Sequence, residues 1–229
     1  DWACTNAPPG LRGDPRALAS DAAGNRYILG GFRDSYDFAP LPGVIDQKTA
    51  TGATSDIYVT RMNADGSYAW TQTIGGSNEE GLGWESVEGN FGSIVVDNGV
   101  VYVWASMAGD DVMVGSAGPI VNPAGAVVIA LSADTGVLHT AFGSNGVVPV
   151  KSSSGTFARA MVVHSGILYA MGYFSGNDLG IGALGAVAAP PQGAMFIAAI
   201  HVGTGMPEMT FGNAGLQTIA DEDGASGSA

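Results

Sequence analysis

Basic residues are scarce in this chain. Eight Lys and Arg stand against 21 Asp and Glu, and the formal net charge of −13 repels nucleic-acid phosphates and anionic membrane surfaces alike. Neither nucleic acid nor membrane insertion is expected. Cysteine is nearly absent: Cys4 stands alone, and a lone Cys cannot staple its own chain. In an oxidising compartment it pairs with another chain, pairs with a segment outside this sequence, or stays free, which makes Cys4 the candidate for an intermolecular disulfide. A catalytic thiol is disfavoured, because no base stands near it in the first turn. No apolar run approaches the roughly 20 residues that cross a bilayer as a helix. The most apolar stretch, 179–200, is broken by Pro190, Pro191 and several Gly. No Asn-x-Ser/Thr sequon occurs, so N-glycosylation is not expected. The Ser/Thr-rich stretches 49–55 and 152–156 read either as O-glycosylated segments of a glycoprotein or as polar loops. Missing too are a Ser-His-Asp order, a phosphate-binding loop and a dinucleotide fingerprint. A basic-then-apolar leader is also lacking before Asp1, so the chain reads as a processed form or as part of something longer.

What is present points to strands and turns. The 36 Gly and 11 Pro punctuate the chain far too often for a helical protein, and Val, Ile, Tyr and Thr fill the segments between them. Apolar residues make up 46% of the chain, ample for a sizeable core. Only 13% of residues are charged, so Ser, Thr, Asn and Gly must carry much of the solvation. That balance suits an extracellular or cell-surface protein.

Self-similarity recurs about every 70 residues. One trio comprises 19–32, 95–107 and 162–174, each a short apolar strand, a Gly-containing turn and a second strand bearing Tyr27, Tyr102 or Tyr169. A second trio, 56–70, 126–140 and 195–209, carries Gly66, Gly136 and Gly205 at the turn. Each segment is a hairpin signature, so one unit contains four antiparallel strands. The expected fold is all-β and β-propeller-like, with three units of about 70 residues forming four-stranded blades. Units are placed at 17–83, 84–155 and 156–220, between an extended N-terminal arm over 1–16 and an acidic Gly/Ser-rich tail over 221–229.

The first unit, with Asp21-Ala-Ala-Gly-Asn25, Tyr36-Asp-Phe38, Asp65-Gly66, Trp70 and Ile74-Gly-Gly76, resembles the secreted bacterial-type β-propeller repeat. The segments 140–148 and 210–215 look more like the related delta-60 type. The resemblance implies a propeller and a secreted or surface setting, and it carries no shared catalytic residues. It also extends to propeller-like repeats of extracellular appendages such as algal flagellar hairs. Three blades leave open faces where other propellers close with more, so contacts between chains are expected.

Candidate chemistry is sparse. Trp84 on a Gly-rich loop, with Glu85 and Glu88 beside it, forms the candidate ligand contact, because an aromatic platform and paired carboxylates suit a glycan. Asp221 and Asp223 precede Gly224 with the alternation of a calcium loop, though no bidentate Glu follows at the required spacing. No other cofactor is expected. His139, His164 and His201 show no metal-ligand spacing. Tyr27, Tyr102, Tyr169 and Trp70 read as core. The leading expectation is a non-enzymatic extracellular structural or adhesive module that self-assembles into a homo-oligomer or filament. The alternative is a secreted protein that binds or cleaves glycans.

Overall fold

The computed structural model describes residues 13–39, 43–52, 54–78, 92–108, 111–117, 119, 125–184, 187–188 and 194–219. Strands dominate them. In chain order these are β1 (Gly13–Ser20), β2 (Arg26–Phe32), β3 (Ser35–Asp37), β4 (Gln47–Thr49), β5 (Asp56–Met62) and β6 (Tyr68–Gly75). Then come β7 (Ser93–Asp97), β8 (Val100–Met107), β9 (Met113–Val114), β10 (Gly125–Ser132) and β11 (Val147–Lys151). The remainder are β12 (Thr156–His164), β13 (Ile167–Phe174), β14 (Asp178–Ile181), β15 (Val187–Ala188), β16 (Ala194–His201) and β17 (Leu216–Ile219).

The all-β expectation holds, but that of three like four-stranded propeller blades is overturned. The first sheet has five strands in the order β1-β2-β5-β6-β9, the second six in the order β15-β14-β11-β10-β8-β7, and the third four in the order β12-β13-β16-β17. A separate ribbon pairs β3 with β4, and among the described residues the sheets do not close into a propeller ring. The resemblance to the secreted propeller repeat therefore does not extend to its architecture. The physical reason lies in the long connections. The segment between β8 and β10 sends β9 back to the edge of the first sheet, where Ile74 pairs with Val114. The segment between β13 and β16 sends β14 to the edge of the second, where Val150 pairs with Ile181. Among the described residues the segment between β2 and β5 pairs only with itself, Tyr36 against Lys48.

Turn chemistry sets the hairpins. Asn98-Gly99 (φ 46° and 77°) joins β7 to β8, and Ser165-Gly166 (φ 49° and 79°) joins β12 to β13. Positive φ at both central residues is the type I′ geometry, whose twist matches the flanking strands. The longer turn before β2 is held by Asp21, whose Oδ1 accepts from Asn25 N at 2.9 Å and whose Oδ2 accepts from Tyr27 Oη at 3.0 Å.

The sheets stack face to face. Between the first and second lie Tyr27, Leu29, Ile57, Val59 and Ile74, packed against Val101, Val103, Val127 and Ile129. Between the second and third lie Tyr102, Trp104, Ala126, Val128 and Val150, packed against Leu168, Ala170, Phe174 and Phe196. The second sheet is thus apolar on both faces, which explains its unbroken runs Val100–Met107 and Ala126–Leu131. A smaller cluster of Phe32, Phe38, Ala50 and Tyr58 lies between the first sheet and the β3–β4 ribbon.

Polar clamps fix the stacking. Trp70 Nε1 and Arg61 Nη1 both donate to Ala133 O, at 3.1 and 2.9 Å. Tyr102 Oη donates to Val202 O at 2.6 Å, and burial pushes the Tyr102 phenol up to about 12. Buried Thr156 accepts from Ala126 N at 2.7 Å and donates to Val150 O at 2.6 Å, tying the start of the third sheet to the second. Replacing Thr156 with Val keeps the shape and leaves a buried N–H and C=O without this partner. The expected loss is about 2 kcal/mol, read as a lower urea midpoint at unchanged slope, and a change below about 0.5 kcal/mol would contradict the bridging role.

Candidate interaction face

The outer face of the third sheet is apolar and open, with exposed apolar side chains on all four strands. Along β12, β13 and β16 the side chains alternate, with Ala158, Leu168, Ala170, Phe174, Ala194, Phe196 and Ala198 turned to the core. Their neighbours point out. The ladders set Phe157 opposite Tyr173, Tyr173 opposite Met195, and Met195 opposite Ile219. This is a single apolar row across all four strands, and its members are 36, 41, 49 and 46% exposed. The next row holds Ala160, Met171, Ile197 and Gln217, and the one after it Val162 and Tyr169. None of the outward positions on these strands is Asp or Glu, in a chain with 21 of them. At one end of the face Tyr169 meets Phe211 edge to face at 5.6 Å, and His201 Nε2 lies 3.1 Å from Glu208 Oε2.

Register shows what these positions do elsewhere. Counted from Tyr27, Tyr102 and Tyr169, the residue two further along is Leu29, Trp104 or Met171. Across the ladders, Met195 is level with Ile57 and Ala126, and Ile219 with Ile74 and Val150. Leu29, Ile57 and Ile74 of the first sheet are fully covered by the second. Trp104, Ala126 and Val150 of the second are fully covered by the third. Of these nine equivalent positions, only Met171, Met195 and Ile219 face outward uncovered.

Among the described residues no group of three His, Cys, Asp or Glu could hold a metal ion. A shallow cleft of about 200 Å³ is lined by Pro149, Lys151, Ser152, Asp178, Gly180, Gly182 and Leu184. Its carboxylate is already engaged, since Asp178 Oδ1 accepts from Ser153 N at 2.9 Å and Ser153 Oγ at 2.6 Å. Those bonds hold Asp178 below the usual carboxylate range. Asp56 is shifted the other way: burial pushes it up to about 6, although the Thr51 N–H at 2.9 Å on Oδ2 pulls down. A carboxyl titrating there could serve as an acid or base, but Asp56 is only 2% exposed and out of a substrate's reach. Its role is structural.

Cys4, Trp84, Glu85, Glu88, Asp221 and Asp223, the residues singled out for disulfide, glycan and calcium chemistry, all lie outside the described residues. Tyr27, Tyr102 and Trp70 pack between sheets, whereas Tyr169 is half-buried on the open face. That face was not legible in the sequence. In β13 and β16 both alternating sets are largely apolar, so their periodicity does not separate a covered face from an open one.

The chain matches no family model, no curated protein and no solved structure.

Proposed function

We propose that this chain is a non-enzymatic structural module that assembles with itself through the open outer face of its third sheet. The observation that carries the reading is the exposure of Met171, Met195 and Ile219, whose counterparts in the first two sheets are fully covered by a neighbouring sheet. Contiguous apolar surface without carboxylates, on a strongly acidic chain, is the chemistry of an interaction site. An extracellular or cell-surface setting belongs to the same proposal and is supported by the low content of charged residues.

The face is modest in size. Four strands about 4.8 Å apart and eight residues at about 3.3 Å span roughly 15 by 25 Å, or about 400 Å² per partner. Six partly exposed side chains, Phe157, Val162, Met171, Tyr173, Met195 and Ile219, each gaining about 1 kcal/mol on full burial, supply about 6 kcal/mol. That barely offsets the lost freedom of association, so the face alone supports weak assembly and needs further contacts for a lasting one.

A charge placed in the apolar row separates assembly from folding. Met195→Glu, at an outward and half-exposed position, is expected to change folding stability by less than about 1 kcal/mol. It should abolish concentration-dependent association in sedimentation velocity. Association that survives both Met195→Glu and Ile219→Glu would place the contact elsewhere and overturn this reading.

A further inference from the structure

The strand edges carry the pattern of the faces one step further. At the edge of the first sheet, β9 adds to β6, and Gly115 N donates to Thr73 O at 2.8 Å. At the edge of the second, β14 adds to β11, and Gly182 N donates to Pro149 O at 2.8 Å. In both cases the added strand comes from the connection between the second and third strands of the following sheet, and an aliphatic residue, Val114 or Ile181, lies opposite Ile74 or Val150.

The third sheet has the accepting edge without the added strand. Among the described residues β17 pairs only with β16. The carbonyl level with Thr73 and Pro149 is that of Thr218, and its acceptor site is taken by the chain's own Gln217 Nε2 at 2.9 Å. The first sheet has the opposite condition. Its connection between β2 and β5 forms the β3–β4 ribbon, as the connection between β13 and β16 forms the β14–β15 pair, yet this ribbon adds to no sheet among the described residues. The N–H following Phe38, that of Ala39, is held by Asp37 Oδ1 at 3.1 Å. Donor and acceptor are both occupied by neighbouring side chains.

We propose, building on the assembly reading above, that a second copy docks head to tail, adding its β3 and the following residue to the β17 edge of the first, with Phe38 opposite Ile219. The third sheet of one copy then meets the outer face of the other's first sheet. That face carries Ile28 and Tyr68, half-buried around Tyr58, beside Tyr36 and Phe38 of the ribbon. Met171 and Met195 are suited to it, because thioethers pack favourably against aromatic ring edges. Ladder hydrogen bonds supply what the small apolar face lacks, as in other strand-addition interfaces. The contact uses two different surfaces, so it is heterologous and propagates into a ring or an open filament.

Two single-cysteine proteins test the arrangement, each in a Cys4→Ser background. One carries Gln47→Cys on the exposed β4, which the docking sets about 10 Å from β17, and the other carries Ile219→Cys. With a bis-maleimide of about that reach, the mixture is expected to give covalent dimers joining the two variants, while neither protein cross-links to itself. Association without the mixed product, or with Ile219→Cys joined to Ile219→Cys, would overturn head-to-tail docking and leave the assembly reading standing. Unmodified protein that stays monomeric at all concentrations would overturn both.

Discussion

Replacing Trp104 with alanine is expected to destabilise the fold by about 4 kcal/mol, the largest effect of any single side chain in the core. Trp104 is fully buried between the second and third sheets. Its indole packs edge to face on Phe196 with centroids 6.2 Å apart, and Nε1 donates to Met171 O at 2.8 Å. Alanine removes the largest buried side chain of the core and leaves a void that sheets held by their ladders cannot close. It also removes a clamp between two sheets. Trp104→Phe separates the two effects, since it keeps most of the packing but loses the N–H. A loss of about 1–2 kcal/mol is expected for that variant. Urea unfolding of the three proteins reads both numbers, and a cost below about 1 kcal/mol for Trp104→Ala would mean that the second and third sheets do not share a core.

Asp56 gives the second large effect, and it depends on pH. Burial raises its folded pKa to about 6 from an unfolded value of 3.8. Above pH 6 the carboxylate is ionised in both states, and folding bears the full penalty of burying it. Below pH 4 it is protonated in both, and the penalty vanishes. Stability from this group therefore falls as pH rises from about 4 to 6, by about 3 kcal/mol in all, since a tenfold change in proton affinity is worth about 1.4 kcal/mol. Carboxylates such as Asp111, held low by the Ser77 side chain and N–H, act in the opposite sense and lose their contribution in acid. The difference between wild type and Asp56→Asn isolates the one group. That variant is expected to gain on wild type by about 3 kcal/mol between pH 4 and pH 7. A difference that stays constant with pH would show that Asp56 is ionised without penalty, and so is not buried. The carboxyl fits against Gly75, where an added Cβ would fall 2.0 Å from Asp56 Cγ, so any side chain at 75 would displace it.

Strands and hairpins were legible in the sequence, because Asn98-Gly99 and Ser165-Gly166 between apolar runs admit few other conformations. Tyr27, Tyr102 and Tyr169 do hold one register position in the three sheets, but the three like blades expected from their spacing do not form. The sheets' make-up was not legible. The segments that become β9 and β14 are too short to announce themselves, and nothing local to Met113-Val114 or Asp178–Ile181 specifies pairing with a strand of the preceding sheet. That choice is made by the ladder edges of β6 and β11, far away in sequence. The same limit hid the candidate site. Met171 and Met195 are as apolar as Leu29 and Ile57, which are core, and only the absence of a covering sheet distinguishes them. Trp84, Glu85 and Glu88 are conspicuous by their chemistry, but they lie outside the described residues.

The central claim is that the open face of the third sheet is a site of self-assembly. Light scattering on the native protein over a concentration series, with Met195→Glu run alongside, tests it most directly. The account predicts masses that climb to multiples of 23.0 kDa for the native chain and remain at one copy for the variant. A native chain that stays at one copy throughout would contradict it.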